Sequence, residues 1–80
     1  MTKVIIKLPS VKEVKDFVSA ISSCGCDIDI AADRYIIDAK SIMGIFSLDL
    51  SKPLELRIIS EDENEIADAI GKIERFIVSE

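Results

Sequence analysis

No histidine and no tryptophan occurs in these 80 residues. Without imidazole there is no Ser-His or Cys-His catalytic pair, no histidine metal ligand and no phosphohistidine. Long apolar runs are missing too. Stretches such as Ile45-Phe46 are far shorter than the ~20 residues of a transmembrane helix, and the opening Met1-Thr2-Lys3-Val4-Ile5-Ile6-Lys7 lacks the apolar core of a secretory signal. A cytoplasmic chain without a membrane partner is expected. Gly25, Gly44 and Gly71 are scattered, so no glycine-rich loop cradles a phosphate. Cys24 and Cys26 are separated only by Gly25, a spacing that strains a disulfide. Two thiols with no further cysteine or histidine do not complete a zinc site. They read as small, half-buried residues, and neither a metal nor a cofactor is expected. With no acid-base pair marked by the sequence, the chain reads as a non-enzyme.

What is present is apolar and acidic. Hydrophobic residues make up 49% of the chain and charged ones 31%, which fits one domain over residues 1–80 and no disordered tail. The whole net charge of -5 falls in residues 61–80, where Glu61, Asp62, Glu63, Glu65, Asp68, Glu74 and Glu80 face only Lys72 and Arg75. Lys3, Lys7, Lys12 and Lys15 make the other end locally basic. An acidic chain with so few aromatics is a poor nucleic-acid binder, so none is expected as a partner. The polarity instead suits docking to a protein, or simply solvates a C-terminal helix.

Seven elements follow from periodicity. Val4, Ile6 and Leu8 alternate with Lys3, Ile5 and Lys7, the period of a strand. After Pro9, Ser10-Val11-Lys12-Glu13 forms a capping box. Val11, Val14, Phe17, Val18 and Ile21 then predict an amphipathic helix to about Ser22, with Gly25 as its end signal. Cys26, Ile28 and Ile30 alternate with Asp27 and Asp29 as a second strand. A turn at Ala32-Asp33 leads into a third, with Tyr35, Ile37 and Ala39 on one face. Ser41 is positioned to cap a short apolar helix reaching Leu48 and ending before Lys52-Pro53. Leu54, Leu56 and Ile58 give a fourth strand. Ser60-Glu61-Asp62-Glu63 reads as a second capping box, before Ile66, Ile70, Ile73 and Ile77 at helical spacing. The order β-α-β-β-α-β-α predicts an α+β fold, with one four-stranded antiparallel sheet and its helices on one face.

The segment Lys40-Ser41-Ile42-Met43-Gly44-Ile45-Phe46-Ser47-Leu48 resembles the regulatory-serine segment of HPr, the phosphocarrier of the bacterial phosphotransferase system. The first strand, Pro9, the helix with Phe17-Val18, the hairpin, the strand at Leu54–Ser60 and the last helix fit that family in order, covering nearly the whole chain. The resemblance implies an open-faced β-sandwich with strand order 1-4-2-3. It also shows a departure. HPr proteins carry an active histidine followed by arginine between the first strand and first helix, whereas here Pro9 runs straight into the Ser10 cap. Phosphoryl relay through histidine is therefore not expected, and the chain looks like a degenerate phosphocarrier.

Ser41 is what matches. In Gram-positive HPr proteins the matching serine is phosphorylated by HPr kinase with ATP, and the product binds catabolite control protein A as corepressor. The paralogue Crh also lacks the histidine and keeps the serine. The resemblance thus implies phosphorylation at Ser41, partners of the HPr kinase/phosphorylase and catabolite control protein A type, and a role in carbon catabolite regulation. Chemistry alone also allows it, because a phosphate at a helix N-cap meets free amides; Ser41 as a plain cap is the simpler reading. Ile42, Met43, Ile45, Phe46, Leu48 and Leu50 are too many apolar residues for one buried face. Ile42, Met43 and Phe46 are the candidates for partner contact, with Lys40, Lys12 and Lys15 as a basic rim. The alternatives are a small-ligand or allosteric-sensor α/β module, a vestigial homologue without regulation, or a carrier using Cys24 or Cys26. The last is opposed by their place at the C-terminal end of a helix. Oligomeric state stays open, since Crh-type proteins can exchange their first strand.

Overall fold

The computed structural model describes residues 1–79. Its elements are β1 (Thr2–Ile6), α1 (Val11–Ile21), β2 (Asp27–Ala32), β3 (Tyr35–Asp38), α2 (Ile42–Phe46), β4 (Leu54–Ile59), α3 (Glu63–Ile73), a 3-10 turn (Glu74–Phe76) and β5 (Ile77–Ser79). The strands form one antiparallel sheet in the order β3-β2-β4-β1-β5. Read from the β1 side, the first four strands have the expected order 1-4-2-3; β5 is a fifth.

The fifth strand corrects the last helix. Ile77 continues the helical spacing, but α3 stops at Ile73 and the chain tightens through the 3-10 turn. That turn buries Phe76, whose carbonyl accepts the Lys7 amide at 3.0 Å. Ile77 is thereby placed opposite Ile6 on the free edge of β1. Phe76 meets Phe17 edge to face, with centroids 5.6 Å apart, an arrangement that adds to plain area burial.

Period-two alternation sends Val4, Ile6, Ile28, Ile30, Leu54, Leu56 and Ile58 to one face of the sheet. There they pack against Val14, Phe17 and Ile21 of α1, Ile45 of α2, and Ala69 and Ile73 of α3. α1 contacts both of the other helices and lies between them. The opposite face is open and carries Ile5, Asp29, Glu55 and Arg57, with the Arg57 Nε donating to Glu55 at 2.6 Å.

Local chemistry explains where the elements begin and end, and three sequence expectations shift. The Ser10 box forms, its hydroxyl accepting the Glu13 amide at 3.3 Å, although Val11 in the first turn is exposed. Helix α1 ends at Ile21 through the Ser22 amide on the Val18 carbonyl, and Gly25 does not take a positive φ. Among the described residues the left-handed region is occupied instead by Asp33, at φ 53°. The hairpin therefore turns on Asp33-Arg34, with Ala32 already paired to Tyr35; a short polar side chain tolerates that conformation where alanine does not. Before α3 the cap is Asp62, whose carboxylate accepts the Asn64 amide at 2.8 Å. Ser60 orders the approach, accepting the Asp62 amide at 3.1 Å and donating to Glu65 at 2.8 Å. Among the described residues no helix is long and apolar enough to cross a membrane.

Candidate functional site

Helix α2 is a single short turn and a half, held at both ends. Its first amides are met by Ser41, whose Oγ accepts from Gly44 at 3.2 Å while its carbonyl accepts from Ile45 at 3.1 Å. Ser41 is itself anchored to the end of β3, its amide donating to the Asp38 carbonyl at 3.0 Å. At the far end the Ser47 hydroxyl donates to the Gly44 carbonyl at 2.6 Å. Ile45 is fully buried and pins the helix to the sheet.

Its outward face is apolar. Met43 is 77% exposed and Phe46 37%, while Ile42 is half-buried against the core. Ser41 is also exposed, and among the described residues its hydroxyl donates to nothing. The candidate phosphate acceptor and the two exposed apolar side chains thus sit on the same few residues. Gly44 makes the tight cap possible: a Cβ there would stand 3.3 Å from the Ser41 Oγ and 3.4 Å from the Ile37 side chain.

The three lysines are placed differently. The Lys40 ammonium is turned inward, donating to the carbonyls of Cys24 at 2.9 Å and Cys26 at 3.2 Å. It ties the entry to α2 to the α1–β2 connection and is not a free rim cation. Lys12 pairs with Asp16 at 3.0 Å, and Arg75 reaches the same carboxylate oxygen at 3.3 Å while lying over the Phe76 ring. That network joins α1 to the 3-10 turn that follows α3. Lys15 is exposed and in no ion pair among the described residues. Lys40 is therefore not part of an exposed basic rim; sequence spacing does not reveal that it has carbonyls within reach.

Cys24 and Cys26 are both buried and free. Burial, reinforced by the nearby Glu65 charge, raises the Cys26 thiol above its ordinary pKa, which suppresses the thiolate that nucleophilic or redox chemistry needs. Among the described residues no group of acids and cysteines is arranged to hold a metal ion. A groove of about 300 Å³ lies between the hairpin tip and the C-terminal end of α2, lined by Tyr35, Leu48, Lys52 and Glu55 among others. It is at the other end of α2 from Ser41.

Comparison with known proteins now decides the family. Residues 11–79 match the family model described as the PTS HPr component phosphorylation site. The chain belongs to the HPr family of the phosphotransferase system. The match begins at Val11, just past the Ser10 cap. Among solved structures, the chain is similar to the crystal structure of HPr-C-His from Thermoanaerobacter tengcongensis, at 28% identity and a TM-score of 0.71 over 92% of each chain. No curated protein matches. HPr-family proteins interact with other proteins of the phosphotransferase system.

Proposed function

We propose that this chain is a regulatory HPr-family protein that acts through Ser41 and α2, and that it does not relay phosphate through histidine. The observation that carries this reading is the coincidence of an exposed, undonated Ser41 hydroxyl with the exposed Met43 and Phe46, two and five residues on. The absence of histidine removes the nitrogen nucleophile that a relay requires. The setting is cytoplasmic and bacterial. The partners are an HPr kinase/phosphorylase and a regulator of the catabolite control protein A type, so the chain serves as a binding module and not as an enzyme.

Phosphorylation would form a bond between the Ser41 Oγ and the γ-phosphorus of ATP, breaking the bond to the β-phosphate oxygen and releasing ADP and the hydroxyl proton. The oxygens so added bring a charge of about -2. Lys40 is committed to the Cys24 and Cys26 carbonyls, and the acid Asp38 precedes Ser41 by three residues. The counter-charge therefore has to come from the partner, whose arginine or lysine would reach the phosphate while its apolar surface covers Met43 and Phe46. Such an arrangement makes docking depend on the modification without refolding the chain.

The test is a titration of the regulator with Ser41-phosphorylated chain, unmodified chain and phosphorylated Met43→Lys. Tight binding by the first alone supports the reading. Equal binding by phosphorylated and unmodified chain, or indifference to Met43→Lys, contradicts it.

A further inference from the structure

β3 closes one side of the sheet, and its outer edge is unpaired. Ala39 donates to the Ile28 carbonyl at 2.8 Å, which fixes the phase of the β2–β3 ladder. Hydrogen-bonded pairs alternate along an antiparallel ladder. Ile37 and Tyr35 therefore turn their amides and carbonyls towards β2, while Ile36 turns both of its own to the free edge; Asp38 turns its amide there, its carbonyl already accepting the Ser41 amide at 3.0 Å. The side chains there are unusually apolar for an edge, with Tyr35 65% and Ile36 62% exposed. Natural sheets usually protect such an edge with charge, proline or a bulge.

The charges flanking it are self-complementary. Arg34, in the hairpin turn just before β3, and Asp38, the last residue of β3, stand two residues to either side of Ile36. Asp38 stands directly opposite Asp29 on β2, and Asp29 has Arg57 of β4 on its other side, so Asp38 is the member of this row without a cation opposite it. Its carboxylate accepts only the Lys40 amide, at 2.9 Å, and neither Arg34 nor Asp38 is in an ion pair among the described residues.

We propose that β3 is a homodimer interface, at which a second copy of this chain adds its own β3 antiparallel across a two-fold axis at Ile36. In that register Ile36 exchanges both backbone hydrogen bonds with its own copy. Tyr35 lies against Ile37 of the other chain, and each Arg34 faces an Asp38. The partner's added cation gives Asp38 a counter-charge in both copies. The sheet becomes continuous across ten strands.

Sedimentation velocity over a concentration series up to about 1 mM tests this. The chain is expected to dimerise reversibly. Arg34→Asp and Asp38→Lys each place like charges together twice and should raise the dimer dissociation constant about tenfold or more. An equimolar mixture of the two variants rebuilds both ion pairs and should dimerise again. Ile36→Lys, at an exposed position, should abolish association with the fold retained by circular dichroism. A chain that stays monomeric throughout overturns the proposal. So does a dimer indifferent to Arg34→Asp and Ile36→Lys, or a mixture of two folded variants that fails to recover.

Discussion

The Ser41 hydroxyl accepts the Gly44 amide at 3.2 Å, and a methyl group on Gly44 would sit 3.3 Å from that same oxygen. Serine and glycine here form one unit: the cap is short because nothing stands between it and the backbone. The same contact explains a glycine inside a helix that is only five residues long.

Gly44→Ala is expected to give no net stabilisation. The helix-propensity gain of about 1 kcal/mol is offset by displacing a cap worth a similar amount. Gly71 in α3 has nothing within 4 Å of its missing Cβ, so Gly71→Ala should stabilise by about 0.5–1 kcal/mol. Urea unfolding of both variants checks the contrast. Equal gains would mean that the Ser41 cap is not sterically linked to Gly44.

Ser41→Ala should cost about 1 kcal/mol, and Ser41→Asp much less, because aspartate is itself a good N-cap. The pair separates the structural role of Ser41 from its signalling role. Chemical denaturation gives the first, and binding by the two variants the second. Equal stability of wild type and Ser41→Ala would show that the cap contributes nothing.

Lys40→Met keeps most of the side-chain length and removes the donor to the Cys24 and Cys26 carbonyls. A loss of about 1–3 kcal/mol is expected, since charge-assisted bonds are removed and two part-buried acceptors lose their partner. Denaturant midpoints measure it. If Lys40 were instead a free surface cation, the change would stay within about 0.5 kcal/mol.

Asp16 titrates below the ordinary carboxylate range because the Lys12 ammonium is hydrogen-bonded to it, with Arg75 beside it, against a smaller opposing effect of burial. A depressed acid stabilises the fold above its unfolded pKa, about 3.9, and that contribution is lost as pH falls through the lower folded value. Asp16→Asn should therefore be the less stable chain at pH 7 and converge on wild type in acid. Thermal melts of both at a series of pH values show this; a gap that stays constant to the lowest pH would exclude the ion-pair network as its cause.

The alternating and helical patterns that place Val4, Phe17, Leu56 and Ile73 in the core depend only on residue type and spacing, and they are readable before any coordinates. So are the Ser10 and Ser41 caps, because a hydroxyl three residues before its acceptor-seeking amide is a local arrangement. β5 is not readable in this way. Ile73, Phe76 and Ile77 keep helical spacing, and what ends the helix is the burial of Phe76 against Phe17, a contact between residues far apart in sequence. Lys40 illustrates the same limit at the site. Its sequence neighbours suggest a solvated cation, and the carbonyls that hold it come from a loop brought alongside by the fold. Met43 was legible as exposed because α2 has more apolar residues than one buried face accommodates.

The most direct test of the regulatory reading supplies the chain with each of two phosphate donors. One reaction holds HPr kinase and ATP; the other holds phosphoenolpyruvate and the phosphotransferase-system enzyme that charges HPr. An ordinary HPr is labelled in parallel, and intact-mass and fragment mass spectrometry read the product. A single phosphate on Ser41 from ATP, absent in Ser41→Ala, and no phosphate from phosphoenolpyruvate is the predicted result. Label from phosphoenolpyruvate, or an unmodified Ser41 while the control HPr is phosphorylated, would contradict it.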